Sequence, residues 1–90
     1  MIKGVKNMNE TEIKVKLKDF ICSTLGVEAE VLENDTELFG DSPIGLDSVD
    51  SLEIISFVDG EYGVDMTGVG KEHFVSIDTI AAYICANSAN

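Results

Sequence analysis

The sequence predicts an all-α fold: a small bundle of three main helices plus a short helix, with a long loop between helices 1 and 2. Three observations predict it. Three segments repeat apolar residues at spacings of three and four, the period of a helix with one buried face. No segment shows the alternation of a half-buried strand. The 90 residues suffice for one domain and are too few for two. The expected organisation is an N-terminal tail over 1–8, one domain over 9–87 and a C-terminal tail over 88–90.

The first helix begins after Asn9, an N-cap residue, with Glu12 placed to complete a capping box. Glu10–Lys14 and Glu12–Lys16 are i,i+4 pairs in the favourable order. Ile13, Leu17, Phe20, Ile21 and Leu25 make its apolar face, and Gly26 terminates it. Cys22 falls roughly opposite Ile13, a partly exposed position. From Val27 to Asp47 the period is lost, and Asn34-Asp35, Gly40-Asp41, Ser42-Pro43 and Gly45 signal turns. The loop is nonetheless apolar at Val31, Leu32, Leu38, Phe39, Ile44 and Leu46, so it packs on its own domain or serves a function. A single helical turn is expected near Asp35 to Phe39, with Leu38 or Phe39 pinned to the core.

The second helix runs from about Ser48 to Tyr62. Asp47 caps it, and Asp50 adds negative charge to the first turn, where the helix dipole favours it. Leu52, Ile55, Val58 and Tyr62 share its expected core face, with Asp50, Glu53, Phe57 and Glu61 on the other side. Gly60 and Gly63 weaken its end. After a flexible connection, Lys71 to Phe74 make one short turn. The last helix starts after Ser76 and buries Ile77, Ile80, Ala81 and Ile84, with Tyr83 and Cys85 on the flanks.

Charge narrows the classes of function. There are 17 acids, six lysines and no arginine, a net charge of −11. Five of the lysines precede Asp19; from Asp19 onward, 15 acids stand against Lys71 alone. Such a surface repels phosphate backbones and anionic membranes, and attracts basic patches on proteins. No apolar run has the length of a membrane span, and the first nine residues lack the apolar stretch of a secretory signal, so the expected location is the cytoplasm. Met8 is an alternative start. Cys22 and Cys85 form no C-x-x-C pattern and read as two reduced thiols.

Catalytic and metal constellations are poorly supported. The single histidine, His73, has no G-x-S-x-G elbow to serve and reads as a solvent-facing or capping residue. A calcium loop counted from Asp35 puts Phe39 at position 5 and Leu46 at position 12, where a bidentate acid is required. One histidine and two distant cysteines make no recognisable structural zinc set. The expectation is a protein that is not an enzyme.

One stretch remains distinctive. Gly45-Leu46-Asp47-Ser48-Val49 places an exposed serine at a loop-to-helix junction, followed by Leu52-Glu53-Ile54 and ending in Glu61-Tyr62. This resembles the prosthetic-group site of acyl carrier proteins: Gly-x-Asp-Ser-Leu, an apolar-Glu-apolar triplet, then an acid and an aromatic. Leu25-Gly26-Val27 resembles the end of that family's first helix, and Val75-Ser76-Ile77-Asp78 with Ala82-Tyr83-Ile84 its last, so the likeness spans roughly residues 10–86. The resemblance implies an acyl-carrier-like bundle that holds 4′-phosphopantetheine on Ser48, transferred from coenzyme A by a separate phosphopantetheinyl transferase. Its function would be to carry acyl intermediates as thioesters in fatty-acid or specialised lipid biosynthesis. The alternatives are a carrier for aminoacyl, peptidyl or polyketide intermediates, or an unmodified acidic interaction module.

A second serine competes, because Asp50-Ser51-Leu52-Glu53 also contains Asp-Ser-Leu. Counted from Ser51, the terminal aromatic position falls on Asp65; counted from Ser48, it falls on Tyr62, which favours Ser48. The exposed N–H groups at a helix start would tolerate the phosphodiester charge. Asp47, Val49, Asp50, Glu53, Phe57 and Glu61 are the expected docking residues for enzymes with basic patches, and the carrier is expected to be a monomer. Val49 departs from the family's usual Leu, Gly60 stands where an acid is frequent, and Ser42-Pro43 lengthens the first loop. Phe57 is bulky for a solvated position, and is expected either to pack on the long loop or to meet a partner or acyl chain. An acyl chain would enter the bundle where Leu52, Ile55 and their neighbours part.

Overall fold

Asn9 starts the first helix as its capping pattern requires. In the computed structural model, which describes residues 9–42 and 44–87, α1 spans Glu10–Thr24, α2 spans Ser48–Tyr62 and α3 spans Ile77–Asn87. Two short 3₁₀ turns lie at Ala29–Val31 and Lys71–His73. Among the described residues there is no strand, only an isolated bridge between Phe39 and Leu46. The bundle is therefore all-α, as predicted. The expected tails and Pro43 lie outside the described residues.

In α1, the Asn9 side chain accepts the Thr11 N–H at 2.8 Å, but no reciprocal bond from Glu12 completes a box. Ile13, Leu17 and Ile21 are buried, while Phe20 and Leu25 are half-buried against the same core. Glu10 and Lys14 pair at 3.7 Å. The second expected pair does not form: Lys16 reaches across to Glu61 of α2 at 3.2 Å. Lys14 likewise joins Asp78 of α3 at 2.9 Å, which raises the lysine above its ordinary range. The Lys16–Glu61 pair is exposed and worth at most about 1 kcal/mol, whereas Lys14 and Asp78 are half-buried.

α1 and α3 pack on each other. The face of α3 is the one predicted: Ile77, Ile80, Ala81 and Ile84 are buried. Its start is closed by Ser76 and Thr79, each hydroxyl accepting the other's backbone N–H, at 3.4 and 3.0 Å. Cys22 and Cys85 are both free and half-buried, and burial pushes the Cys85 thiol up.

The face of α2 differs from the expected one. Ile54 and Val58 are its buried residues, whereas Leu52 is 64% exposed and Ile55 and Tyr62 are half-buried. Leu52 lies about 200° around the helix from Ile54, at 100° per residue. The reason is compositional. Apolar residues occur nearly all round α2, so periodicity alone does not select a face; packing into the shared core does. Phe57 turns inward for the same reason. It stacks on Phe20 of α1 with ring centroids 4.3 Å apart, and meets Tyr62 edge-on at 6.4 Å, so it packs on α1 rather than on the long loop. Gly63 ends α2 with φ +67°, a left-handed position that glycine takes without a Cβ penalty.

The long loop is tied to the rest of the bundle. Its helical turn comes at Ala29–Val31, earlier than the expected Asp35–Phe39, where Thr36 instead closes a turn onto Glu33. A threonine hydroxyl that bonds the backbone three residues back competes with helix. Leu32 and Leu38 are fully buried and Phe39 is half-buried. Leu38 N–H donates to Val75 O at 2.9 Å, and Asp78 N–H donates to Asn34 O at 2.9 Å. Leu46 N–H donates back to Leu38 O at 2.8 Å. The loop is thereby fastened to the start of α3 and delivers Asp47 to the start of α2.

Candidate functional site

Two features position Ser48. Gly45 N–H donates to Ser42 Oγ at 3.0 Å, and Gly45 stands at φ +70°. A side chain there would be strained, so glycine is needed for the chain to turn into Leu46. Leu46 is then buried and anchors the residue before the cap. Asp47 Oδ1 accepts the N–H groups of Val49 and Asp50, at 3.1 and 3.3 Å. Asp50 Oδ2 accepts the Asp47 N–H at 3.0 Å, completing a capping box.

Ser48 is the first residue of α2, exposed, and its hydroxyl makes no hydrogen bond to the described residues. Ser51 is different. It is half-buried, and its hydroxyl donates to Ser48 O at 2.7 Å. Only one of the two competing serines therefore presents an uncommitted hydroxyl to solvent.

Ser48 lies on a cleft of about 700 Å³. Phe39, Leu46, Ile55, Met66, Val69 and Phe74 supply much of its apolar wall, and Glu37, Asp47, Ser51 and Lys71 polar groups. Of the two residues expected to admit an acyl chain, Ile55 lines the cleft and Leu52 does not.

The other expected docking residues are placed unevenly. Asp47, Val49, Glu53 and Glu61 are exposed, Val49 to 63%. Asp50 and Phe57 are half-buried. Val49 and Leu52, the latter expected on the core face, form an exposed apolar pair beside Ser48. Glu61 is partly neutralised by Lys16. Tyr62 contributes no outward hydroxyl; its buried OH lacks a partner, and burial raises the phenol above its ordinary range. His73 does not line the cleft; it lies 3.8 Å from Glu72 and packs on Tyr83 at 5.0 Å. Among the described residues no cluster of three potential metal ligands exists.

The cleft residues Glu37, Met66, Val69, Lys71 and Phe74 escaped sequence reasoning, because they come from segments without periodicity. Lys71 alone carried a signal, as the single lysine in the acidic part of the chain.

Fold and site together define a small helical protein that presents one serine hydroxyl at a helix start beside an apolar cleft. Residues 15–84 match the family model described as a phosphopantetheine attachment site. The chain is also similar to acyl carrier proteins: 30% identical over 77 residues to that of Chlorobium phaeovibrioides, covering 86% of this chain and 96% of that one. Identity is 29% over 73 residues with that of Clostridium acetobutylicum (81% and 92% covered), and 27% over 74 residues with that of Aster yellows witches'-broom phytoplasma (82% and 95%). The chain belongs to the acyl carrier protein family, whose prosthetic group is covalent 4′-phosphopantetheine.

The residues present fit that group. A free hydroxyl stands ready for a phosphodiester, and the cleft beside it has room and apolar walls for an extended arm. The helix start offers less than expected, however: of the Ser48, Val49 and Asp50 N–H groups, only that of Ser48 has no acceptor among the described residues. The Val49 and Asp50 N–H groups already serve the Asp47 carboxylate, so they are not open to a phosphate.

That cap carries a prediction. Asp47→Ala removes two accepted N–H bonds and unpairs the capping box, and should cost about 0.5–2 kcal/mol by denaturant unfolding, whereas Asp47→Asn should recover most of it. Equal losses for both variants would mean that the charge, not the cap, matters at Asp47.

Proposed function

We propose that this protein is a non-enzymatic carrier that holds 4′-phosphopantetheine on Ser48 and serves fatty-acid or specialised lipid biosynthesis in the cytoplasm as a monomer. The observation that carries the reading is the uncommitted, exposed Ser48 hydroxyl on the rim of an apolar cleft, in a chain of this family. When bound, the group supplies a terminal thiol on which acyl units are carried as thioesters. The chain's own residues do the rest. Asp47 and Leu46 fix the helix start that presents Ser48. Ile55, Met66 and Phe74 offer an apolar wall to an acyl chain. Val49, Leu52, Glu53 and Glu61 form an exposed acidic and apolar surface for a phosphopantetheinyl transferase and for acyl-handling enzymes with basic patches. The chain needs no general base of its own, because the transferase supplies the chemistry of attachment.

The test is direct. The apo protein is incubated with coenzyme A, Mg²⁺ and a promiscuous phosphopantetheinyl transferase, and its intact mass is measured. A gain of one phosphopantetheine is expected; an unchanged mass would sink the reading.

Docking should also depend on salt. Raising ionic strength from about 0.1 M to about 1 M shortens the Debye length from about 10 Å to about 3 Å. Losing a few exposed pairs worth up to about 1 kcal/mol each should weaken transferase binding about tenfold. Glu53→Gln should flatten that dependence. Salt-independent binding in a titration would argue against electrostatic docking.

A further inference from the structure

The site has an electrostatic problem that the helix start solves only in part: of its first-turn N–H groups, only that of Ser48 has no acceptor among the described residues. A phosphodiester on Ser48 adds negative charge beside Asp47 and Asp50, on a chain whose net charge is already −11. The N–H groups of Val49 and Asp50 are committed to Asp47, and the Ser51 N–H to Asp47 O. Uncompensated like charge at such short range is unfavourable.

Among the described residues, one cation lines the same cleft. Lys71 is the only lysine or arginine from Asp19 to Asn90, and it lines the same cleft as Ser48. Fifteen acids in that part of the chain would attract a lysine to many positions, yet among the described residues Lys71 makes no ion pair. Its neighbours in the 3₁₀ turn do not pair with it: Glu72 lies 3.8 Å from His73, and His73 packs on Tyr83. Glu37 is a carboxylate competitor on the same cleft, but it stands beyond the 4 Å of an ion pair with Lys71.

We propose that Lys71 is the positioning cation of this site: its ammonium offsets the phosphodiester on Ser48 and biases the attached arm toward the cleft. The inference rests on Ser48 being the attachment point. Lys71 touches no reacting atom; it acts on where the arm lies.

Apo and holo forms of the parent, Lys71→Met and Lys71→Arg are prepared, with loading verified by intact mass. Melting temperatures are read at low salt and at 1 M salt. Loading should lower the Tm of Lys71→Met by about 2–5 °C more than that of the parent at low salt, as expected for loss of one exposed ion pair in a domain of this size. Lys71→Arg should behave as the parent, and 1 M salt should erase the difference. In parallel, the Lys71 ε-methylene resonances of the parent should shift on loading, while those of Lys18 stay in place. A structural role alone would not produce that shift. Equal apo-to-holo changes in Tm for all three proteins, or unmoved Lys71 resonances, would overturn the proposal. A parent that gains no mass would overturn the carrier reading itself, and this proposal with it.

Discussion

Ser48→Ala is expected to abolish phosphopantetheine attachment outright, while Ser51→Ala still accepts the group. The effect should be all-or-none, because the proposed attachment is a single bond through that hydroxyl. Fold stability should hardly change in Ser48→Ala. The hydroxyl is exposed and makes no hydrogen bond to the described residues, so its loss should stay within about 0.5 kcal/mol. The start of α2 is held by Asp47 and Asp50, which the substitution leaves intact. Ser51→Ala has the opposite profile. It loses the bond from its hydroxyl to Ser48 O, worth about 0.5–1.5 kcal/mol, but keeps the proposed attachment point. Intact mass after treatment with coenzyme A and transferase separates the two. Loading of Ser48→Ala, or failure of a folded Ser51→Ala, would move the site to Ser51.

The second large effect concerns the core. Ile54→Ala should cost about 2–5 kcal/mol, because a fully buried side chain is removed and the surroundings close only partly around the cavity. Domains of this kind hold only about 5–15 kcal/mol in total, so the fall in Tm should exceed about 10 °C. Leu52→Ala should change stability by no more than about 0.5 kcal/mol, since most of that side chain is already in water. It should instead weaken binding of the transferase, because Leu52 and Val49 are the exposed apolar pair beside Ser48. Urea unfolding of both variants checks the orientation of α2. A destabilising Leu52→Ala with a tolerated Ile54→Ala would restore the face read from periodicity.

The site divides in the same way as α2. Ser48 was legible because its neighbours in sequence are its neighbours in space: Gly45 makes the turn, Asp47 the cap and Glu53 the exposed acid one turn on. The preference for Ser48 over Ser51 came from counting to Tyr62, and the hydrogen bond that occupies Ser51 now supports it. The cleft was not legible. Phe39, Ile55, Met66 and Phe74 converge from the long loop, from α2 and from the connection before α3, and no local pattern links them. The helical turn in the loop was misplaced because Thr36 bonds the backbone of Glu33 and favours a turn there instead.

By itself, the sequence determined the number and order of helices, the faces of α1 and α3, the cap of α2 and the serine at its start. These rest on interactions between residues a few positions apart, which spacing reveals. The tertiary structure decided which side of α2 is buried, because Val49, Leu52, Ile54, Ile55, Phe57 and Val58 leave several faces apolar and only the available packing partners choose among them. It also decided that Phe57 stacks on Phe20, that the loop is tied to α3 through Leu38, and that the lone lysine of the acidic region shares a cleft with Ser48. Each of these joins residues far apart in the chain, where proximity follows from packing and not from spacing.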